Sequence, residues 1–372
     1  MIDNTTFTNQ ITGDIKLAFI DSFVNSISSK DLNKFMSLHK PSSTFFNYEQ
    51  IRWFNILTSS KNDFEYTIED AFIEYMDDTL NLNLQLAISS IHFPSKILNG
   101  RFNLVYVDNK IFIESHKNLT LYKKNPYNSL IFFEQNLENE AAFVLKLYPK
   151  IIDFFSDQFN VEIEHKLISI YLFFSSESIS FTIPDHSAYG WYESNESIKI
   201  FIPDFVEDRE LFLTRVLIHE LTHLLLVRIS NDNLSLFFQE GFAMYVENYV
   251  LHDSQNLILS KEQLRTQSNL SLNMLQQLQL RLHSYNALKD LPEESGIELY
   301  HNGFLWVYYL IEKYGVKTFL HFVKSLSKYD YLNLPISNKF DIINQRTTDM
   351  FLKKYSKEGF ESNDIFTFYN DI

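Results

Sequence analysis

Residues 215–226 read Arg-Val-Leu-Ile-His-Glu-Leu-Thr-His-Leu-Leu-Leu, which sets His219, Glu220 and His223 in a His-Glu-x-x-His pattern on an apolar background. On a helix, positions four apart share one face, so both imidazoles can reach one metal ion. Glu220 sits beside them, placed to take a proton from a water on that ion. A catalytic zinc needs three protein ligands and one open position. Glu240 is the natural third ligand, opening the run Glu-Gly-Phe-Ala-x-Tyr-x-Glu at 240–247. Zinc bonds to O and N are only about 2.0–2.2 Å long, so the two segments must pack closely. The small Gly241 and Ala243 permit that approach. Glu247 lies seven residues after Glu240, on the same helical face, as a candidate hydrogen-bond acceptor for a ligand histidine or as a solvated glutamate.

These residues require two helices in succession. Asp204 is a candidate cap for the first, with Glu207, Asp208 and Glu210 near its positive end. That helix runs to about Ile229, and Asn231-Asp232-Asn233 breaks it and can cap the next, expected over 234–247. Upstream, Leu167 to Phe174 is a continuous apolar run that suits a buried strand. Residues 188–192 and 197–202 read as a hairpin joined by Glu193-Ser194-Asn195-Glu196. One strand of that hairpin offers an edge for an extended peptide, with Ala188 and Gly190 as candidate substrate-binding residues. Downstream, 261–285 reads as a long Leu- and Gln-rich helix, and 299–315 as a helix ending at Gly315.

The pair of segments His219-Glu220-Leu221-Thr222-His223 and Glu240 to Glu247 resembles the gluzincin zinc metallopeptidases, the thermolysin- and aminopeptidase-like "peptidase MA" group. The resemblance spans roughly residues 130–330 and implies His219, His223 and Glu240 as ligands of one zinc per chain, with Glu220 as general base. It also implies a thermolysin-like domain, a small mixed sheet followed by a mainly helical lobe. The 299–315 segment is similar to the distal helix of that group, where a Tyr or His donates a hydrogen bond to the oxyanion. Tyr300 is the first candidate for that donor and His301 the second.

The N-terminal part follows a different pattern. Residues 13–28, a piece from about Lys30 to before Pro41, and 46–57 carry helical stripes. Leu80, Leu82, Leu84, Leu86 and Ile88 then alternate with polar or small residues, a strand with one polar face. Residues 64–76 read as another strand, and 102–113 as a hairpin turning at Asp108-Asn109. Helices followed by long antiparallel strands make an α+β unit, and their order resembles the cone-shaped NTF2-like domains. A boundary is expected near 123–126, giving residues 1–125 as an accessory domain and 126–372 as the metallopeptidase domain. The overall class is α+β. Pro149 is expected to kink or divide a helix over 137–158.

The formal net charge of the 372 residues is −15, which argues against nucleic acid and anionic membranes as partners. The chain has no cysteine, so a zinc site must use His and carboxylates. No signal peptide and no apolar run long enough for a bilayer is visible, which makes the cytoplasm the default expectation. The reading favoured is a zinc-dependent peptidase acting on a peptide or protein. The alternatives are a non-catalytic zinc-containing binding protein, capturing its partner through the N-terminal domain or a peptide groove, and zinc-dependent hydrolysis of a non-peptide amide.

Overall fold

The computed structural model describes residues 12–58, 65–76, 79–90, 93–117, 119–122, 129–161, 168–182, 189–192, 197–251, 293–330, 339–355 and 357. It is mixed α+β with two small sheets. Contacts divide the chain into two compact units, Met1–Leu145 with Lys166–Arg209, and Lys146–His165 with Glu210–Ile372. The boundary expected near 123–126 lies outside the described residues. Among the described residues no helix is long and apolar enough to cross a membrane.

The first unit opens with helices α1 (Gly13–Ser28), α2 (Leu32–Ser37) and α3 (Thr44–Thr58). Asp31 caps α2 by accepting the Lys34 N–H at 3.0 Å, satisfying an end donor that the helix itself cannot. Strands β1 (Glu65–Met76), β2 (Thr79–Ser90), β3 (Phe93–Val107) and β4 (Lys110–His116) form an antiparallel sheet in that order. The β3–β4 turn is at Asp108 and Asn109, both at positive φ (50° and 62°), the conformation that two-residue hairpin turns need. Leu80, Leu82, Leu84, Leu86 and Ile88 are buried with Phe19, Phe23, Ile27, Trp53, Phe54 and Leu57 in one core. Each such side chain contributes about 1.5–3 kcal/mol by leaving water. The opposite face of β2 is less exposed than alternation predicts. Asn81 and Asn83 are buried, and Asn83 donates to Glu74 at 2.9 Å. Their amides find hydrogen-bond partners beside the strand, so burial leaves them satisfied.

The second sheet is mixed, in the order β5 (Leu119–Tyr122), β6 (Ser129–Glu134), β7 (Ile168–Phe173), β9 (Ile198–Phe201), β8 (Gly190–Tyr192). The central strand β7 is parallel to both neighbours and buried at every position, as its unbroken apolar run requires. Between β6 and β7 runs α4 (Glu138–Phe159), which contains Pro149 without being divided by it. A short helix, α5 (Ser176–Ser180), follows β7.

Within this unit Glu49 of α3 sits at the centre of a buried charged set. Its Oε1 is 2.6 Å from His116 Nε2 and its Oε2 is 3.5 Å from Lys199 Nζ of β9. Glu49 and Lys199 are both fully buried. Trp53, one turn further along α3, donates to the Ser180 carbonyl at 3.1 Å. Helix α3 thus ties the first sheet to the second by polar contacts as well as packing.

The second unit is helical among its described residues: α6 (Arg209–Ser230), α7 (Leu236–Leu251), α8 (Glu293–Tyr314), α9 (Val316–Ser325) and α10 (Lys339–Tyr355). Its core is aromatic, with Phe242 against Phe319 (ring centroids 5.1 Å), Phe238 against Phe351 (5.7 Å) and Trp306 against Phe351 (5.7 Å). Two capping expectations need correction. Helix α6 starts at Arg209, so Asp204 lies in a turn upstream and Asp208 is the residue directly before the helix. Helix α7 starts at Leu236, with Ser235 at its mouth rather than the Asn231–Asn233 run. Asn231 and Asp232 do end α6, both at positive φ. Asn233 is instead buried and holds the lobe together, donating to the Tyr329 carbonyl at 3.0 Å and accepting from Arg346 at 2.9 Å. Gly315, at φ +82°, ends α8 as expected, and its N–H bonds the Ile311 carbonyl at 2.7 Å. The helix expected over 261–285 lies outside the described residues, as do His186, His252 and His283.

Candidate metal centre

Helix α6 carries His219, Glu220 and His223, and its second half, Leu221 to Val227, is buried throughout. A helix enclosed on all sides keeps its polar residues only if they meet partners. Here they do. His219 Nε2 is 3.0 Å from Glu240 Oε2, and His223 Nε2 is 3.5 Å from the same oxygen. The two imidazoles lie 4.9 Å apart between centroids. His223, Glu220 and Glu240 are all buried.

Helix α7 brings Glu240, and a backbone contact sets how closely it packs on α8. A Cβ added at Gly241 would stand 2.2 Å from the Gly303 carbonyl oxygen, and one added at Gly303 would stand 2.6 Å from the Phe237 carbonyl oxygen. Only glycine at both positions permits this spacing. Tyr300 is one turn before Gly303 on α8, and its ring centroid is 6.5 Å from that of His219. Tyr300 is part-exposed. Its neighbour His301 is half-buried, and that burial lowers its pKa.

The three donor atoms of His219, His223 and Glu240 all lie within 4.8 Å of one another. Donors that share a tetrahedral zinc at 2.0–2.2 Å are about 3.3–3.6 Å apart; Glu240 Oε2 stands 3.0 and 3.5 Å from the two imidazole nitrogens, close to that spacing, and imidazole and carboxylate are donors that zinc takes. The electrostatics agree with a cation-seeking site. Burial alone would lower the His219 pKa. Its contacts with Glu240 and Glu247 and the charges of Glu240 and Glu220 outweigh that and raise it well above 6.5. Burial would raise the Glu240 pKa, but His223 and His219 pull it down to about 2. Three carboxylates concentrate negative potential on one imidazole, which favours a positive charge at that point.

Glu247 is near the site as periodicity implies, with Oε2 3.7 Å from His219 Nδ1. Arg215, a residue that spacing did not single out, donates to the other Glu247 oxygen at 3.0 Å. Gly190 opens β8, the outer strand of the second sheet, and pairs with Ile200. Ala188 lies outside the described residues. His321 is exposed. No protein-family model matches the chain, and no curated protein matches it.

Proposed function

We propose that this protein is a zinc-dependent peptidase, with His219, His223 and Glu240 holding the metal and Glu220 as general base. The observation that carries the reading is the convergence of three donor atoms within 4.8 Å, with the buried Glu220 beside them. The resemblance of 219–223 and 240–247 to gluzincin sequences supports it. On this reading the second unit is the helical lobe of a thermolysin-like domain. The helices and first sheet of the N-terminal part form an NTF2-like accessory domain.

A zinc ion would supply Lewis acidity toward a peptide carbonyl and toward water. Glu220 accepts the proton of the attacking water and passes it to the leaving amine. Its burial suits that work, since a carboxylate withdrawn from bulk solvent exchanges its proton with the reactants rather than with water. Tyr300 donates its O–H to the developing oxyanion. Its ring centroid is 6.5 Å from that of His219, and His301 is the second candidate.

The test is Glu220→Gln in full-length protein, assayed for zinc content and for cleavage of a mixed peptide library. The expected result is about one zinc per chain in both proteins and at least a 10²-fold loss of cleavage in the variant. Full activity in Glu220→Gln removes the mechanism. Zinc without any cleavage by the unmodified protein favours a binding role instead.

A further inference from the structure

We infer that Arg215 is a positioning residue for the metal centre, acting on His219 through Glu247; the inference rests on the zinc site proposed above. Arg215 stands one turn before His219 on α6, and Glu247 two turns after Glu240 on α7. The Arg215–Glu247 pair therefore joins the two ligand-bearing helices beside the ligands themselves. One Glu247 oxygen accepts from Arg215 Nη1 at 3.0 Å, and the other faces His219 Nδ1 at 3.7 Å. The carboxylate is thus held from behind by a guanidinium and presents its second oxygen to the imidazole.

Two consequences follow. The first is orientation. An imidazole whose Nδ1–H faces a carboxylate keeps Nε2 as its lone-pair nitrogen, and Nε2 is the atom that approaches Glu240 at 3.0 Å. Without Arg215 the Glu247 side chain loses its anchor, and the ring loses the group that selects its tautomer. The second is charge. Glu220, Glu240 and Glu247 bring three negative charges to this pair of helices. Arg215 cancels one, so that a single divalent ion with two neutral imidazoles leaves the centre neutral. Arg215 also keeps Glu247 on the Nδ1 side of His219, away from the position that a catalytic metal must leave open.

The experiment is a competition titration of zinc between full-length protein and a chelator of known affinity. It is run on the unmodified protein, Arg215→Gln, Arg215→Lys, Glu247→Gln and the Arg215→Gln/Glu247→Gln double variant. Nitrogen-15 NMR of the histidine rings in the zinc-loaded proteins reports the environment of His219 Nδ1–H. The expected result is a zinc affinity about 10-fold weaker in Arg215→Gln and in Glu247→Gln. The double variant should be no weaker than Glu247→Gln alone, because both changes break one chain of contacts. Arg215→Lys, which keeps the charge and loses the fork, should fall between the unmodified protein and Arg215→Gln, and carries the test if Arg215→Gln does not fold. In the NMR spectra, Arg215→Gln should show a shifted His219 Nδ1 resonance, because Glu247 no longer holds its place beside that nitrogen. Unchanged affinity and an unshifted His219 Nδ1 resonance in Arg215→Gln and Arg215→Lys, or strictly additive losses in the double variant, overturn the inference. Unmodified protein that binds no zinc overturns the metal centre and this inference together. Protein that binds zinc but cleaves nothing overturns only the proposed activity.

Discussion

At the scale of single residues, the convergence of His219 and His223 was legible because it depends on local spacing. His219 and His223 are four apart, and a helix turns that interval into one face. Glu240 followed from the need for a third ligand and from the small residues behind it. Arg215 was missed, although it opens the quoted motif, because its role depends on Glu247 from another helix and pairings across helices leave no period in sequence. His39 was also silent. It is buried against Phe35 and Phe46, its Nδ1 donates to the Phe35 carbonyl at 2.9 Å, and its Nε2 has no partner among the described residues. Burial lowers its pKa to about 4, against a smaller raising effect of the Phe35 carbonyl. The folded state therefore keeps this ring neutral, while the unfolded chain takes up a proton below about 6.5. Stability is unaffected by this group above pH 6.5, falls as pH drops toward 4, and changes no further below that. Chemical denaturation at pH 7 and pH 4.5 should show the unmodified protein losing about 2–3 kcal/mol more than His39→Phe. Equal losses in the two proteins would assign the pH dependence to other groups.

At the scale of elements, period was a good guide to type and a poor guide to ends and environment. The alternation of Leu80 to Ile88 became a strand with that face in the core, yet Asn81 and Asn83 on the other face are buried too. Alternation reports which side is apolar. It does not report whether local hydrogen bonds will cover the polar side. The starts of α6 and α7 moved because several polar residues competed for each cap, and the winner was decided by where the preceding chain enters. The Gly241–Gly303 contact was half legible, since Gly241 was read as a close-packing residue but its partner lies on a helix far along the chain. Gly303→Ala sets a Cβ 2.6 Å from the Phe237 backbone oxygen, which no side-chain rearrangement can relieve. It should cost about 1–3 kcal/mol as overpacking and weaken zinc binding by spreading α7 from α8. A thermal melt together with the chelator titration checks this. A variant as stable as the unmodified protein would mean that the helices separate without cost.

At the scale of the whole molecule, the two units have different internal logic. The first holds both sheets and carries the Glu49–His116–Lys199 set in its interior, and the second is helical where described and holds the His219–His223–Glu240 cluster. A composition that is 45% hydrophobic and 16% aromatic suits large cores but does not reveal that one of them encloses a lysine. Lys199 occupies an apolar strand pattern, and its charge is tolerated because Glu49 lies 3.5 Å from it. Glu49→Gln removes a buried carboxylate 3.5 Å from Lys199 and should destabilise the first unit by about 3–5 kcal/mol, whereas removing the whole set in favour of apolar residues of similar volume should cost far less. Urea denaturation of the two variants separates these cases, and equal loss in both would mean that volume, not charge, is the cause. The central claim concerns the second unit and one point within it. Anomalous diffraction at the zinc absorption edge, from crystals of protein purified without added chelator, tests it most directly. The account predicts one anomalous peak about 2.0–2.2 Å from an imidazole nitrogen of His219, an imidazole nitrogen of His223 and a carboxylate oxygen of Glu240. No peak at that point after soaking in zinc, or a peak bound by other residues, would contradict it.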